Sequence, residues 1–231
     1  MVEIIPAILT NDIKEVEEKI RLVERASLAE DSPRGEAGVE SRRVQIDIVD
    51  GVFADNRTIE PDVLGKIDTD LNLDFHLMTN EPIDWVERCV RGMADRIIGQ
   101  VEMMSDQIAF IGKVQEVGLQ VGLAIDLDTP VSALDPTILT NLDVVLVMAV
   151  KAGFGGQKFD PRALEKIKEL DELRLRDKTP FRICVDGGET EDTTNDTHFA
   201  GADEIVIGKR IFEGDLAENI KKMQEAAHRL G

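Results

Sequence analysis

Two aspartates, a histidine and a group of glycines occupy positions from which chemistry can be done. Asp47 lies in Gln45-Ile46-Asp47-Ile48-Val49-Asp50-Gly51, His76 in Asp74-Phe75-His76-Leu77-Met78, and Asp186 in Cys184-Val185-Asp186-Gly187-Gly188. Alternation along an extended strand puts Gln45, Asp47 and Val49 on one face. It does the same for Asp74, His76 and Met78, and for Cys184 with Asp186. If these faces converge, two carboxylates and an imidazole can hold a divalent metal. The same carboxylates, set on opposite sides of a substrate, can exchange a proton on either face of a carbon. Each residue alone has an ordinary reading: a strand-end aspartate caps the next helix, and an interior histidine satisfies a hydrogen bond. Their joint occurrence at three strand ends favours a site.

The glycines suggest a second half to that site. Gly153, Gly155 and Gly156 follow a run containing Met148, Gly187 and Gly188 follow the next, and Gly208 with Lys209 follows the last. Backbone N–H groups in late strand-to-helix loops of a barrel are a common cradle for phosphate, and glycine allows the close approach. One Gly-Gly pair reads as a turn, and Lys209 alone as an exposed lysine. Glycine at three consecutive strand ends points to an anion.

The elements that must position these residues are legible as a repeat. Short β-branched runs occur at 3–9, 44–49, 73–78, 96–102, 120–125, 144–150, 182–185 and 204–207. Between them, 12–25 carries Ile13, Val16, Ile20 and Val23 at helical spacing behind the N-cap Asp12. The stretches 82–93, 106–117, 161–173 and 216–230 read the same way, whereas the segments after the second, fifth and seventh runs are short or polar. Strands alternating with helices imply a parallel sheet, and eight units in 231 residues imply an α/β fold closed as a single (β/α)8 TIM barrel. An open doubly wound sheet is the alternative, but no G-x-G-x-x-G follows the first run. The expected organisation is one domain over 1–231, with a surface insertion at about 26–43.

Composition excludes other classes of function. With 27 basic and 46 acidic side chains the net charge is −19, a field that repels nucleic acid and anionic membrane alike. A small anion remains acceptable because local donors outweigh a distant surface charge. No apolar run approaches the roughly 20 residues of a membrane span, and the opening Met1-Val2-Glu3-Ile4-Ile5-Pro6 lacks a signal peptide's pattern. Cys89 and Cys184 form no disulfide or metal framework. A cytoplasmic protein with buried thiols is expected.

The residues also resemble a known family, ribulose-phosphate 3-epimerase, a ribulose-phosphate-binding barrel. The likeness runs from Ile5-Pro6-Ala7-Ile8-Leu9 to Gly208-Lys209-Arg210-Ile211-Phe212. Its strongest pieces are Asp47-Ile48-Val49-Asp50-Gly51, Asn56-Arg57-Thr58, His76-Leu77-Met78, Gly153-Phe154-Gly155-Gly156-Gln157-Lys158-Phe159 and Val185-Asp186-Gly187-Gly188. The resemblance implies inversion of C3 of a ketopentose phosphate. One aspartate removes the C3 proton, an enediolate forms, and a second aspartate returns a proton to the other face; the matching positions are Asp47 and Asp186. It implies a divalent metal (Zn, Mn, Mg or Fe) on Gln45, Asp47, His76 and Asp186. Substrate and phosphate contacts would fall on His76, Met78, Met148, Gly153, Gly155, Gly156, Gly187, Gly188, Gly208 and Lys209, with a homo-oligomer as a possible assembly.

The chain departs from the family pattern at the reacting end. Gln45 replaces the first metal histidine, Ala7 a substrate-contacting serine, Val49 a methionine and Gln100 a histidine. Lys151-Ala152 precedes the GFGG segment, Lys209 replaces a serine, and Ile59-Glu60-Pro61 follows Thr58. An oxygen-rich ligand set containing an amide favours Mn or Mg over Zn. Alternatives to a C3 epimerase are a phosphosugar-binding barrel without turnover and a related barrel acting on another sugar phosphate.

Overall fold

The computed structural model describes residues 2–28 and 42–229. Eight parallel strands close into a barrel in chain order: β1 (Glu3–Ile8), β2 (Arg43–Val49), β3 (Asn72–Met78), β4 (Arg96–Gln100), β5 (Gln120–Ile125), β6 (Val144–Met148), β7 (Arg182–Asp186) and β8 (Glu204–Ile207). Pairing of β1 with β8 completes the ring. Outside it lie α1 (Ile13–Leu28), α2 (Val86–Arg91), α3 (Gln107–Glu116), α4 (Arg162–Asp177), α5 (Glu191–Ala200) and α6 (Leu216–Ala227). The (β/α)8 barrel expected from the sequence is the fold observed. Of the expected insertion at 26–43, residues 29–41 lie outside the described residues, 26–28 continue α1, and Arg43 opens β2.

Period-two alternation builds two apolar layers. Val44, Ile46 and Ile48 of β2, with Leu73, Phe75 and Leu77 of β3, face the helices and join the large outer core. The opposite faces point inward, where Ile5, Ala7, Ile98, Ala124, Leu146, Cys184 and Val206 fill the barrel. Strands buried on both sides need this near-continuous apolar composition. The helices start where carboxylates cap them: Asp106 accepts from Ala109 N (2.9 Å) and Asp215 from Glu218 N (2.9 Å). In α1, Val16, Ile20 and Val23 are buried as their spacing predicts, while Ile13 stays half-exposed.

Three local expectations are corrected. β4 stops at Gln100 because Val101–Met103 turn into a short 3-10 segment, and β6 stops at Met148. After β2 the chain forms the 3-10 turn Pro61–Lys66, and after β5 the turns Val131–Ala133 and Leu139–Asn141. After β7, however, the polar segment is a complete helix. Thr190 caps it reciprocally with Thr193, and Thr194 and Thr197 form its buried face.

The inward face also carries charge at the barrel's N-terminal end. Asp74, Arg96 and Glu204 are 0 %, 2 % and 0 % exposed. Arg96 donates to Asp74 and, through both terminal nitrogens, to Glu204 at 3.0 and 2.7 Å. Arg43 also pairs with Asp74, and Arg182 with Glu204 at 3.0 Å. This charged layer forms a floor beneath the residues singled out for chemistry.

Candidate active site

Strand pairing brings the aspartate and histidine together. Asp47 and His76 are direct cross-strand neighbours on β2 and β3. His76 Nδ1 lies 3.2 Å from Asp47 Oδ1 and 3.8 Å from Asp186 Oδ2. Gln45, two residues before Asp47 on the same inward face, donates its amide nitrogen to both carboxylates: 2.8 Å to Asp47 Oδ1 and 2.6 Å to Asp186 Oδ2. Gln45 and His76 thus engage one oxygen of each aspartate. The end of β2 is pinned by Thr58, whose hydroxyl donates to the Asp47 carbonyl (2.8 Å) and accepts from Val49 N (2.9 Å). Asp50 receives Val52 N and Phe53 N, each at 2.8 Å, and Asn80 N at 2.7 Å, so one carboxylate orders the loops after β2 and β3.

The two carboxylates are electrostatically unequal partners. Burial, then the charge of Asp47, pushes Asp186 up to about 7, while His76 and the Gln45 hydrogen bond pull it down. Asp186 is therefore held toward its protonated form. An acid next to a carboxylate is what a proton transfer across two faces of one carbon needs.

Above these groups opens a cavity of about 670 Å³. Asp47, Asp186, Met78 and Met148, at the strand ends, line its floor, and Gly153, Gly155, Gly156, Gly187, Gly188, Gly208 and Lys209 also belong to its lining. His76 and Gln45, 0 % and 1 % exposed, lie beneath that floor and do not line it. The strand-end glycines read as a phosphate cradle therefore all line one cavity. Gly188 has φ +72°, and a Cβ there would stand 2.1 Å from Phe159 N, so this loop and the 151–159 segment pack backbone to backbone. Gly188→Ala is expected to shift both and weaken sugar-phosphate affinity at least about tenfold, leaving metal binding intact; titration calorimetry with and without chelator checks it.

The 151–159 segment folds over the cavity through its own bonds. Gln157 donates to the carbonyls of Lys151 (2.7 Å) and Phe154 (2.8 Å). Asn56, from the loop after β2, donates to Gly153 O at 2.8 Å. Asn56, Thr58 and Asp50 stand within sequence motifs that assign them no task, because their partners lie in other loops or in backbone groups.

Glu189 is a residue that sequence reasoning missed. It follows the glycine pair, lines the cavity and is 3 % exposed. Its carboxylate accepts from Thr193 Oγ1 (2.8 Å) and Thr197 Oγ1 (2.9 Å), with Thr194 at 3.4 Å. Burial pushes it up from 4.5 to about 7 against the pull of the three hydroxyls. Because the folded value exceeds the unfolded one, its contribution to stability is full below about 4.5 and is lost as pH rises through about 7. Glu189→Gln should therefore exceed the wild type in stability at pH 8 by up to about 3 kcal/mol. The gap should close toward pH 5, as read by urea unfolding at both values.

The donor set fits a divalent cation. Asp47, His76 and Asp186 each offer one ligand atom, all within 4.8 Å of one another, the spacing of groups that can share one ion. Gln45 presents nitrogen to this cluster, so ligation by its oxygen requires the amide to turn over. Neither thiol competes: Cys89 and Cys184 are buried and free, and burial pushes both up.

Comparison with known proteins agrees with this geometry. The Ribulose-phosphate 3 epimerase family matches residues 3–212. The chain is 36% identical over 192 residues to ribulose-phosphate 3-epimerase of Chlamydia pneumoniae, covering 77% of this chain and 82% of that protein. It is 32% identical over 215 residues to the Bacillus subtilis enzyme of the same name, covering 92% and 93%. Among solved structures, KGPDC from Streptococcus mutans aligns with a TM-score of 0.66 over 98% of this chain and 97% of that one, at 13% identity. Phosphoribosyl anthranilate isomerase from Thermotoga maritima aligns at 0.63 over the full length of both, also at 13%; these two likenesses concern the fold. With matching residues along nearly the whole chain and its two aspartates meeting at the barrel mouth, this protein belongs to the ribulose-phosphate 3-epimerase family.

Proposed function

We propose that this protein inverts C3 of a ketopentose phosphate of the ribulose 5-phosphate class. The observation that carries the reading is the Asp47–Asp186 pair at the cavity floor, each with one oxygen engaged by Gln45 and His76. The phosphate lies against Gly153, Gly155, Gly156, Gly187, Gly188 and Gly208, with Lys209 adding charge. C3 then sits between the two aspartates. Asp47 accepts the C3 proton, the C3–H electron pair moves into the enediolate, and protonated Asp186 delivers its proton to the opposite face. The carbon is inverted, and Asp186 leaves the step as the carboxylate. Met78 and Met148 supply the apolar floor that excludes water from the intermediate.

Asp47, His76 and Asp186, with Gln45 as fourth ligand, would hold a divalent cation, whose chemistry there is stabilisation of negative charge on the enediolate oxygens. The oxygen-rich set places Mn or Mg ahead of Zn or Fe. Buried, unpaired cysteines accord with a reducing cytoplasm, and among the described residues no helix is long and apolar enough to cross a membrane.

One observation favours a second reading, a phosphosugar-binding barrel without turnover. The Gln45 amide bridges both carboxylates, a contact that satisfies them without a metal. Proton NMR of D-ribulose 5-phosphate in D2O separates the two, recorded with Zn or Mg, with Mn removed by chelator before acquisition, and with chelator throughout. Metal-dependent loss of the C3 proton signal with xylulose 5-phosphate appearing supports the epimerase. Binding that ignores chelator, without exchange, sinks it in favour of the second reading.

A further inference from the structure

His76 is fully buried, and its two ring nitrogens face unlike surroundings. Nδ1 looks toward Asp47 and Asp186. Nε2 looks toward the side-chain amide of Gln100, 3.2 Å away on the neighbouring strand β4. Gln100 is itself fully buried, so both ends of its amide must find partners. Its far end meets the Ala124 carbonyl at 3.1 Å, on the residue paired with it across β4 and β5, and Glu102 Oε2 at 2.7 Å. A carbonyl and a carboxylate only accept. The amide nitrogen must therefore point at them, and the amide oxygen at His76.

That orientation dictates the histidine's proton. A ring nitrogen facing an amide oxygen has to be the N–H, which turns the other nitrogen toward the two aspartates. Glu102 is fixed in turn, its second oxygen accepting from Asp126 N at 2.7 Å. The 3-10 turn after β4 carries Glu102 back beside Gln100. We propose that Gln100, oriented by Glu102 and the Ala124 carbonyl, is a positioning residue that holds His76 by its Nε2–H, with Nδ1 directed between the two aspartates. The arrangement readies His76 as a cation ligand, and in that respect rests on the metal reading above. A glutamine does this without titrating, so the hold on the ring does not depend on the ionisation of its partner on β4.

The test is a long-range 1H–15N spectrum of metal-free, histidine-labelled protein carrying His198→Gln and His228→Gln, so that only His76 reports. A protonated, pyrrole-type Nε2 is expected. Gln100→Leu should shift the Nε2 signal and lower Zn2+ affinity, measured by chelator competition, by about 10–100-fold. Glu102→Gln, which keeps an acceptor beside Gln100, should retain the wild-type spectrum. An unprotonated Nε2 overturns the proposal. So does a folded Gln100→Leu protein with unchanged spectrum and affinity. If Gln100→Leu does not fold, Glu102→Leu on the exposed turn makes the same comparison, with the same two outcomes. Should a protonated Nε2 be found in a protein that binds no divalent cation, the metal reading fails while the assignment stands on the spectrum.

Discussion

Asp47→Asn should slow loss of the C3 proton from D-ribulose 5-phosphate by about 10²–10⁴-fold, the usual contribution of a positioned base. The substitution keeps the shape of the side chain and removes its ability to accept a proton. It also removes the negative charge that, after burial, does most to raise Asp186, so Asp186 becomes a weaker proton reservoir at neutral pH. Both changes act in the same direction. Asp186→Asn should behave differently: Asp47 still removes the C3 proton of D-ribulose 5-phosphate, so exchange with D2O continues while xylulose 5-phosphate fails to accumulate. Following proton signal and product together distinguishes the roles. Exchange at the wild-type rate in Asp47→Asn would show the assignment to be wrong.

The largest effect on stability is expected at the barrel floor. Arg96→Met leaves Asp74 and Glu204, both fully buried, without the guanidinium between them. Removing one member of a buried ionic cluster costs about 3–5 kcal/mol, mostly because the remaining charges stay desolvated. In a domain of this size each kcal/mol moves Tm by about 2–4 °C, so a fall of roughly 6–20 °C is expected in calorimetry. Replacing the cluster together, as Arg96→Met with Asp74→Leu and Glu204→Leu, should recover most of that loss. Arg43 and Arg182 would still find Glu3. A wild-type Tm in Arg96→Met would mean that Arg43 and Arg182 alone neutralise the floor.

Much of the fold was legible because barrel strands, buried on both faces, appear as short β-branched runs, and each run begins within a residue of the strand observed. The helix after β7 was under-read for a definite reason. Its inner face is Thr194 and Thr197, closed over Glu189, and a polar inner face leaves no hydrophobic period to detect. Asp47, His76 and Asp186 were legible because side-chain direction in a strand follows from position alone. The floor was not. Arg96 is 22 residues from Asp74 and 108 from Glu204 in the chain, and each resembles an ordinary strand-end charge until the ring closes. Gln100 was visible only as a departure at one position; its task depends on Ala124 and Glu102, which spacing alone does not bring together.

The buried floor divides the molecule's electrostatics into two populations that answer salt differently. Asp74, Arg96 and Glu204 together carry a single net negative charge, largely out of reach of mobile ions, so most of the −19 charge resides on the solvated exterior. There, repulsion among carboxylates is screened beyond about 10 Å at 0.1 M ionic strength. Rising salt thus relaxes the exterior's self-repulsion while leaving the interior pairs nearly untouched. The barrel is therefore a scaffold whose stability grows with ionic strength even though ion pairs hold its base.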